Sequence, residues 1–331
     1  MKNFLKIFTV SFLTFMVLFS SLVWSYNHFL REDASEEAEP IEAVVDPNDE
    51  TQVNLDELDE LQRLVYQRNR VNFVVMGLEG TRSDTLMLVS FDKDTKKTYV
   101  VAIPRDTYYH RKGYDHLQKR KINSVYGDHG AGGVKTVVSD LLHDIPVDYY
   151  MSVTYKGAEA IVNSLGGVPV NIPHLMNYSD PYDTPPLKIY FEPGYQVLNG
   201  ENAVKFLRYR KASPGTGAAS YVDGDLGRIK AQQEFIKAAL KKALSLRLPA
   251  VVSTAAKHVK TDIEITELIS LATSAMGMTM SDVEMTMLPG EDRYQDNASF
   301  YFPDYQEIKA LLIEIYGGEV PLEEQEITPG E

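Results

Sequence analysis

Residues 71–106 read VNFVVMGLEGTRSDTLMLVSFDKDTKKTYVVAIPRD. Three apolar runs lie in this stretch: 71–76 (VNFVVM), 85–91 (TLMLVSF) and 98–103 (TYVVAI). Each is short, rich in β-branched residues and bounded by charge or turn formers, which is the pattern of a buried strand. Asp92-Lys93-Asp94-Thr95 supplies a tight turn, so the second and third runs are expected to form an antiparallel hairpin, and Pro104 ends the third. In a regular hairpin the start of one strand lies beside the end of the next. Asp84 and Arg105 should then meet at one edge of the sheet. Charges at the mouth of a buried sheet are where α/β proteins keep their sites. Glu79, Arg82 and Asp84 stand at that mouth. The plainer readings are a polar loop in which Asp84 caps a turn, and a purely structural Arg–Asp pair.

Outward from this stretch, strand and helix signals alternate. Strands are expected at 149–153, 168–172 and 283–288, and helices at 132–145, 156–165, 201–207, 226–246, 266–276 and 305–316. Residues 55–68 carry leucines at helical spacing and read as a helix leading into the domain. Alternation of this kind implies an α/β fold, three layers α/β/α around a mixed central sheet. The 331 residues, 44% hydrophobic, suffice for one sizeable core or two small ones.

The ends differ from the body. Lys2 and Lys6 precede an uncharged run over 7–27, long enough for a transmembrane helix, with Trp24 and Tyr26 placed for the outer interface. The lysines put the N-terminus inside and the body outside. A cleaved signal peptide is the rival, but Trp24-Ser25-Tyr26 is a poor small-residue cleavage site. Thirteen acidic residues and no Lys or Arg fall between Glu32 and Glu60, which leaves the rest of the chain near −1 of a net charge of −14. The expected organisation is therefore a cytoplasmic stub and membrane anchor over 1–30, an acidic disordered linker over 31–54, a catalytic domain over 55–316, and a disordered acidic tail over 317–331.

Composition removes several functions. There is no cysteine, hence no thiol catalysis, zinc thiolate site or disulfide scaffold. No basic surface for nucleic acid follows from a near-neutral body. G-x-x-x-x-G-K-[ST] and G-x-S-x-G are absent, and the seven histidines show no metal-ligand spacing. Gly127–Gly133 (GDHGAGG) reads as a turn ahead of a helix, with an anion cradle as the sharper alternative; it is left outside the site. Met276, Met278, Met280, Met285 and Met287 read as core.

A second charged cluster lies far downstream: Arg208-Tyr209-Arg210, the small and flexible stretch 212–220 (a lid or an insertion), then DGDLGR ending in Arg228, with Gln232 one turn later on the same helix face. Arginines gathered in one place repel one another unless an anion sits among them, and their forks suit phosphate oxygens.

Taken together, VNFVVMG, RSDTLMLVSFD, VVAIPRDTY, KINSVYG, DYYMSV, LGGVPVNIP, NGENAVKFLRYR and DGDLGRIKAQQ resemble the LytR-CpsA-Psr family from about Val71 to Lys241. The resemblance implies a membrane-anchored phosphotransferase of bacteria, chiefly Gram-positive. It would move a glycopolymer of teichoic acid or capsular polysaccharide type from a polyprenyl pyrophosphate carrier, held in an apolar tunnel, to peptidoglycan. It implies Mg²⁺, with Mn²⁺ as the alternative, at Asp84. Arg82, Arg105, Arg208, Arg210 and Arg228 would hold phosphate oxygens, with Gln232 supporting them and Asp106 orienting Arg105. The family usually has aspartate where Glu79 stands, so Glu79 is the candidate metal ligand or general base, one methylene longer. Asp84, Arg105 and Glu79 are thus the candidate catalytic residues. Other readings are a non-catalytic binder of lipid-linked precursor, hydrolysis of the carrier, and the older family label of transcriptional attenuator, which a body lying across the membrane from DNA does not fit.

Overall fold

Apolar residues of both parities along 70–103 demand a sheet covered on two faces, and that is what forms. The computed structural model describes residues 58–222, 224–243, 254–255, 257–275 and 277–317. Strand β1 (Arg70–Glu79), β2 (Arg82–Asp92) and β3 (Thr98–Ile103) form an antiparallel meander. The turn between β2 and β3 is built by Asp92, whose Oδ1 accepts from the backbone N–H of Asp94 (2.9 Å) and Thr95 (2.8 Å). Helix α1 (Glu60–Gln67) precedes β1, capped by Asp59 and Gln62 in a reciprocal capping box.

Helix α2 (Val125–Leu141) follows β3, and β4 (Tyr149–Thr154) pairs in parallel with β1. Helix α3 (Tyr155–Ser164) leads to a region of short strands: β5 (Val168–Ile172), β6 (Met176–Asp180), β7 (Leu187–Phe191) and β8 (Gly194–Leu198). There β5 pairs with β8, and β6 with β7. Helices α4 (Gly200–Arg208) and α5 (Asp225–Ala243) return the chain to the main sheet. Strand β9 (Val259–Thr261), helix α6 (Ile265–Ser274), β10 (Val283–Met287), the hairpin β11 (Gly290–Gln295) and β12 (Ala298–Pro303), and helix α7 (Tyr305–Ile315) complete it. The six-stranded sheet has the order β10-β3-β2-β1-β4-β9. From the pairings, β1, β3, β4 and β10 run one way and β2 and β9 the other, so the sheet is mixed, as expected.

The two faces divide by residue parity. Val74, Met76, Leu78, Leu86, Leu88, Val101 and Ile103 pack with Val134, Val138 and Leu141 of α2 and Ile308 and Leu312 of α7. Phe73 and Phe91 pack with Leu271 of α6, and Met87, Val100 and Ala102 with Ile229 of α5. This is the three-layer arrangement. Val168, Ile172, Ile189, Phe191, Phe206 and Phe235 make a separate core beneath the short strands.

Some expectations need revision or fall outside the described residues. Helix α2 starts at Val125 rather than near 132, because the glycine-rich stretch is built into it with a kink at Gly130 (φ 62°). A Cβ at Gly127 would stand 2.8 Å from the Thr81 carbonyl oxygen, so glycine lets the helix approach the β1–β2 turn. The proposed membrane span, the acidic linker and the tail beyond 317 lie outside the described residues, as does Met276; among the described residues no helix is long and apolar enough to cross a membrane. Met278 packs against the core under α6, and Met285 and Met287 against that under α5, so these three are core, as expected.

Candidate active site

The carboxyl ends of β1, β3 and β4 converge on one edge of the sheet, and the site is assembled there from a single irregularity. Across the β1–β2 ladder Gly77 pairs with Thr85, but the next pair is Leu78 with Ser83. Asp84 is the residue passed over, the extra residue of a β-bulge. In a regular strand Asp84 and Thr85 would point to opposite faces. The bulge lets both line the same cavity, together with Val75, Gly77 and Glu79 of β1.

That cavity has a volume of about 390 Å³ and is open to solvent. One part of its wall is charged: Glu79, Asp84 and Asp180 against Arg105, Arg208, Arg210, Lys211 and Arg228, an excess of two positive charges. The other part is apolar, with Val75, Met87, Val153, Leu187, Val204, Leu207, Phe235 and Ile236. Pockets of 300–1,000 Å³ are the usual size for organic ligands.

Arg105 Nη1 donates to Asp84 Oδ1 at 2.9 Å, the contact expected from the hairpin. Arg208 Nη2, at the end of α4, donates to Glu79 Oε1 and to Asp183 Oδ2, both at 2.8 Å, and its guanidinium lies 4.8 Å from the centre of the Tyr155 ring. Arg228 is buried on α5, and one turn on Gln232 Nε2 donates to the Leu207 carbonyl at 3.0 Å, tying α5 to the residue before Arg208. Segments more than a hundred residues apart thus place three arginines around one space.

The carboxyl pair is electrostatically asymmetric. Burial pushes Glu79 above the ordinary glutamate range, and a hydrogen bond with Asp84 adds to this against the opposing pull of Arg208. Burial also resists ionisation of Asp84, but the hydrogen bond from Glu79 and the positive charges of Arg105 and Arg228 outweigh it, and Asp84 sits below its ordinary range. Burial, and then the Glu79 charge, keep the Tyr155 hydroxyl protonated well beyond its usual range.

Among the sequence candidates, Glu79, Asp84, Arg105, Arg208, Arg210, Arg228 and Gln232 all line the cavity. Arg82 does not: it stands exposed at the first residue of β2, paired with Glu79 only through the backbone register. The Asp106 carboxylate pairs with Lys121 Nζ at 3.1 Å, and Arg105 pairs with Asp84. The sequence reading missed Tyr155, Asp183, Asp180 and Lys211. Asp183 had no signal, since it lies in a proline-rich turn between two strands that were not foreseen. Lys211 directly follows the Arg208–Arg210 cluster and could have been found.

Among the described residues no group of three or more His, Asp or Glu is arranged as a protein-only metal cage. Two adjoining carboxylates nevertheless fit Mg²⁺, which binds through one or two carboxylates, water and substrate phosphates.

The fold and this arrangement have relatives. The LytR_cpsA_psr family model matches residues 26–315. The chain belongs to this family. The polyisoprenyl-teichoic acid–peptidoglycan teichoic acid transferase TagV of Bacillus subtilis is 30% identical over 240 residues, 70% of this chain and 58% of TagV. The enzyme of the same description TagU from Enterococcus faecalis is 28% identical over 321 residues, 94% of this chain and 96% of TagU. The crystal structure of B. subtilis TagV superposes with a TM-score of 0.61 and 27% identity, covering 76% of this chain and 99% of that one. The chain thus spans over half the length of one curated relative and nearly all of the other.

Proposed function

We propose that this chain transfers a glycopolymer of teichoic acid type from polyprenyl pyrophosphate to peptidoglycan, outside the cell membrane and anchored by residues 7–27. The observation that carries this is a single cavity with a cationic mouth and an apolar wall. A diphosphate on a long hydrocarbon chain matches both parts at once; a soluble nucleotide or a sugar alone matches only one. The names of the relatives support the same substrates.

The residues divide the chemistry. Arg105, Arg208 and Arg228 bind diphosphate oxygens and offset the negative charge that grows there as the ester bond breaks. Asp84, held ionised by Arg105, would hold Mg²⁺ with Glu79 beside it, and the ion supplies further charge neutralisation on the diphosphate. Glu79, the more basic of the two carboxylates, takes the proton of the acceptor sugar hydroxyl. The hydroxyl oxygen attacks the phosphorus nearer the transferred sugar. The bond from that phosphorus to the bridging oxygen breaks, a phosphodiester forms, and polyprenyl phosphate leaves with the electron pair. Val75, Val204, Leu207 and Phe235 keep the first isoprene units out of water.

The test is transfer by the purified full-length chain in detergent, with lipid-linked donor and peptidoglycan fragments as acceptor. Arg105→Ala should lower turnover by about 10²-fold or more, the usual effect of losing one group that stabilises developing charge. Donor that stays bound in the wild type without release of polyprenyl phosphate would instead make the chain a binding protein. Release of polyprenyl phosphate without acceptor would make it a hydrolase.

A further inference from the structure

Arg208 is engaged by two acids from opposite sides of the cavity. A guanidinium grips a phosphate with two parallel bonds along either of two edges, Nε with Nη2 or Nη1 with Nη2. Both edges need an Nη2 hydrogen. One of these goes to Glu79 Oε1 and the other to Asp183 Oδ2, each at 2.8 Å. A phosphate can therefore close a fork on Arg208 only if one carboxylate lets go; otherwise it is left with single bonds.

The surroundings decide which one leaves. Glu79 ends β1, is paired across the ladder with Arg82, and shares hydrogen bonds with Asp84 and Tyr155. Arg208 itself is steadied by the Tyr155 ring, 4.8 Å away. Asp183 instead sits in the turn 181–186, beyond the last β6–β7 pair, Asp180 with Leu187. Pro181, Tyr182, Thr184, Pro185 and Pro186 are all exposed, Tyr182 to 95%. A swing of this turn gives up almost no apolar contact. The other bond of the Asp183 carboxylate is local and travels with the turn: Oδ1 accepts from the Thr184 N–H at 2.9 Å. The base of the turn is held, because Asp180 Oδ1 accepts from the Tyr182 N–H at 3.0 Å.

We infer that Asp183 is a built-in competitor of the substrate's phosphate: it holds Arg208 between turnovers, a phosphate of the lipid carrier displaces it and swings the 181–186 turn aside, and its return helps to expel polyprenyl phosphate. This regulation of the site rests on the lipid-diphosphate reading above. Asp180 and Leu187, the two ends of the turn, both line the cavity, so the swing acts at its mouth. The apparent affinity for the carrier is then lowered by the fraction of chains in which Asp183 holds Arg208. The device leaves room for fast release of a product that keeps one of the two phosphates.

The probe is geranylgeranyl pyrophosphate with Mg²⁺, titrated calorimetrically into the full-length chain in detergent. Asp183→Ala should tighten its binding about 10-fold, the gain expected where the competing contact is held about nine-tenths of the time. Asp183→Asn, which keeps the shape and drops the charge, should act in the same direction. A fixed acid near an anion also weakens binding through space, so the movement is read separately. The chain has no cysteine, so Tyr182→Cys in the turn and Ser270→Cys on α6, both exposed positions, carry one pair of spin labels. Their separation should shift when the probe is added, and shift less in Asp183→Ala, whose turn is already released. Binding no tighter in either Asp183 variant would overturn the inference, as would a separation that the probe leaves unchanged; both results leave the lipid-diphosphate reading standing. A wild-type chain without affinity for the probe would remove that reading and the inference with it.

Discussion

The identity of one residue, Glu79, governs the proton chemistry. Its carboxyl is raised by burial and by its hydrogen bond with Asp84, whereas Asp84 is lowered because the bond from Glu79, Arg105 and Arg228 outweigh burial. The signs differ for stability. A raised carboxyl favours the folded state while protonated, so the contribution of Glu79 is present below pH 4.5 and is lost as pH rises through its folded value. Asp84 contributes above pH 3.8 and loses that contribution as pH falls through its depressed value. In ¹³C carboxyl NMR without Mg²⁺, Glu79 should titrate above 4.5 in the wild type and at lower pH in Asp84→Asn, where the neighbouring negative charge is gone. A Glu79 titration unmoved by that substitution would separate the two carboxyls. The charge pattern made these residues visible in the sequence. Their asymmetry was not visible, because it depends on which side chains from positions 105, 208 and 228 arrive beside them.

The element that matters most is the β1–β2 pair, and its bulge is held by small residues. A Cβ at Gly77 would lie 3.0 Å from Thr85 Cβ and 3.3 Å from its Oγ1, in the last regular pair before the bulge. Gly77→Ala should therefore destabilise the fold by about 1–3 kcal/mol through overpacking, read as a lower urea midpoint. An unchanged midpoint would mean that the strands part there at no cost. Strands β1, β2 and β3 were legible as apolar runs, and the Asp92 turn between β2 and β3 was legible from its residue types. The bulge was not, since a one-residue slip leaves no mark on composition. Strand β11 was also missed, as its residues after Gly290 are all exposed and show no alternation. The Asp296-Asn297 pair, both with positive φ, was its one available signal. Strands β6 and β7 are short and part polar, and only the tertiary fold gives them partners.

At the scale of the whole molecule, two cores meet the needs of an amphipathic ligand. The three-layer sheet fixes Glu79, Asp84 and Arg105 on a rigid edge, and the region of β5–β8 with α4 brings Arg208, Asp183 and most of the apolar wall. Layer order was readable from alternating strands and helices. The cavity was not, because its greasy lining comes from Val75, Val153, Val204, Leu207 and Phe235 rather than from the methionine-rich stretch near 280. The central claim is that one diphosphate headgroup is gripped by arginines from three separate elements, with its chain lying on that wall. The most direct measurement is a crystal structure of the chain with geranylgeranyl pyrophosphate and Mg²⁺. The account predicts phosphate oxygens within hydrogen-bonding distance of Arg105, Arg208 and Arg228 and the hydrocarbon against Val204 and Phe235. A headgroup bound away from those three arginines, or a chain lying outside the cavity, would contradict it.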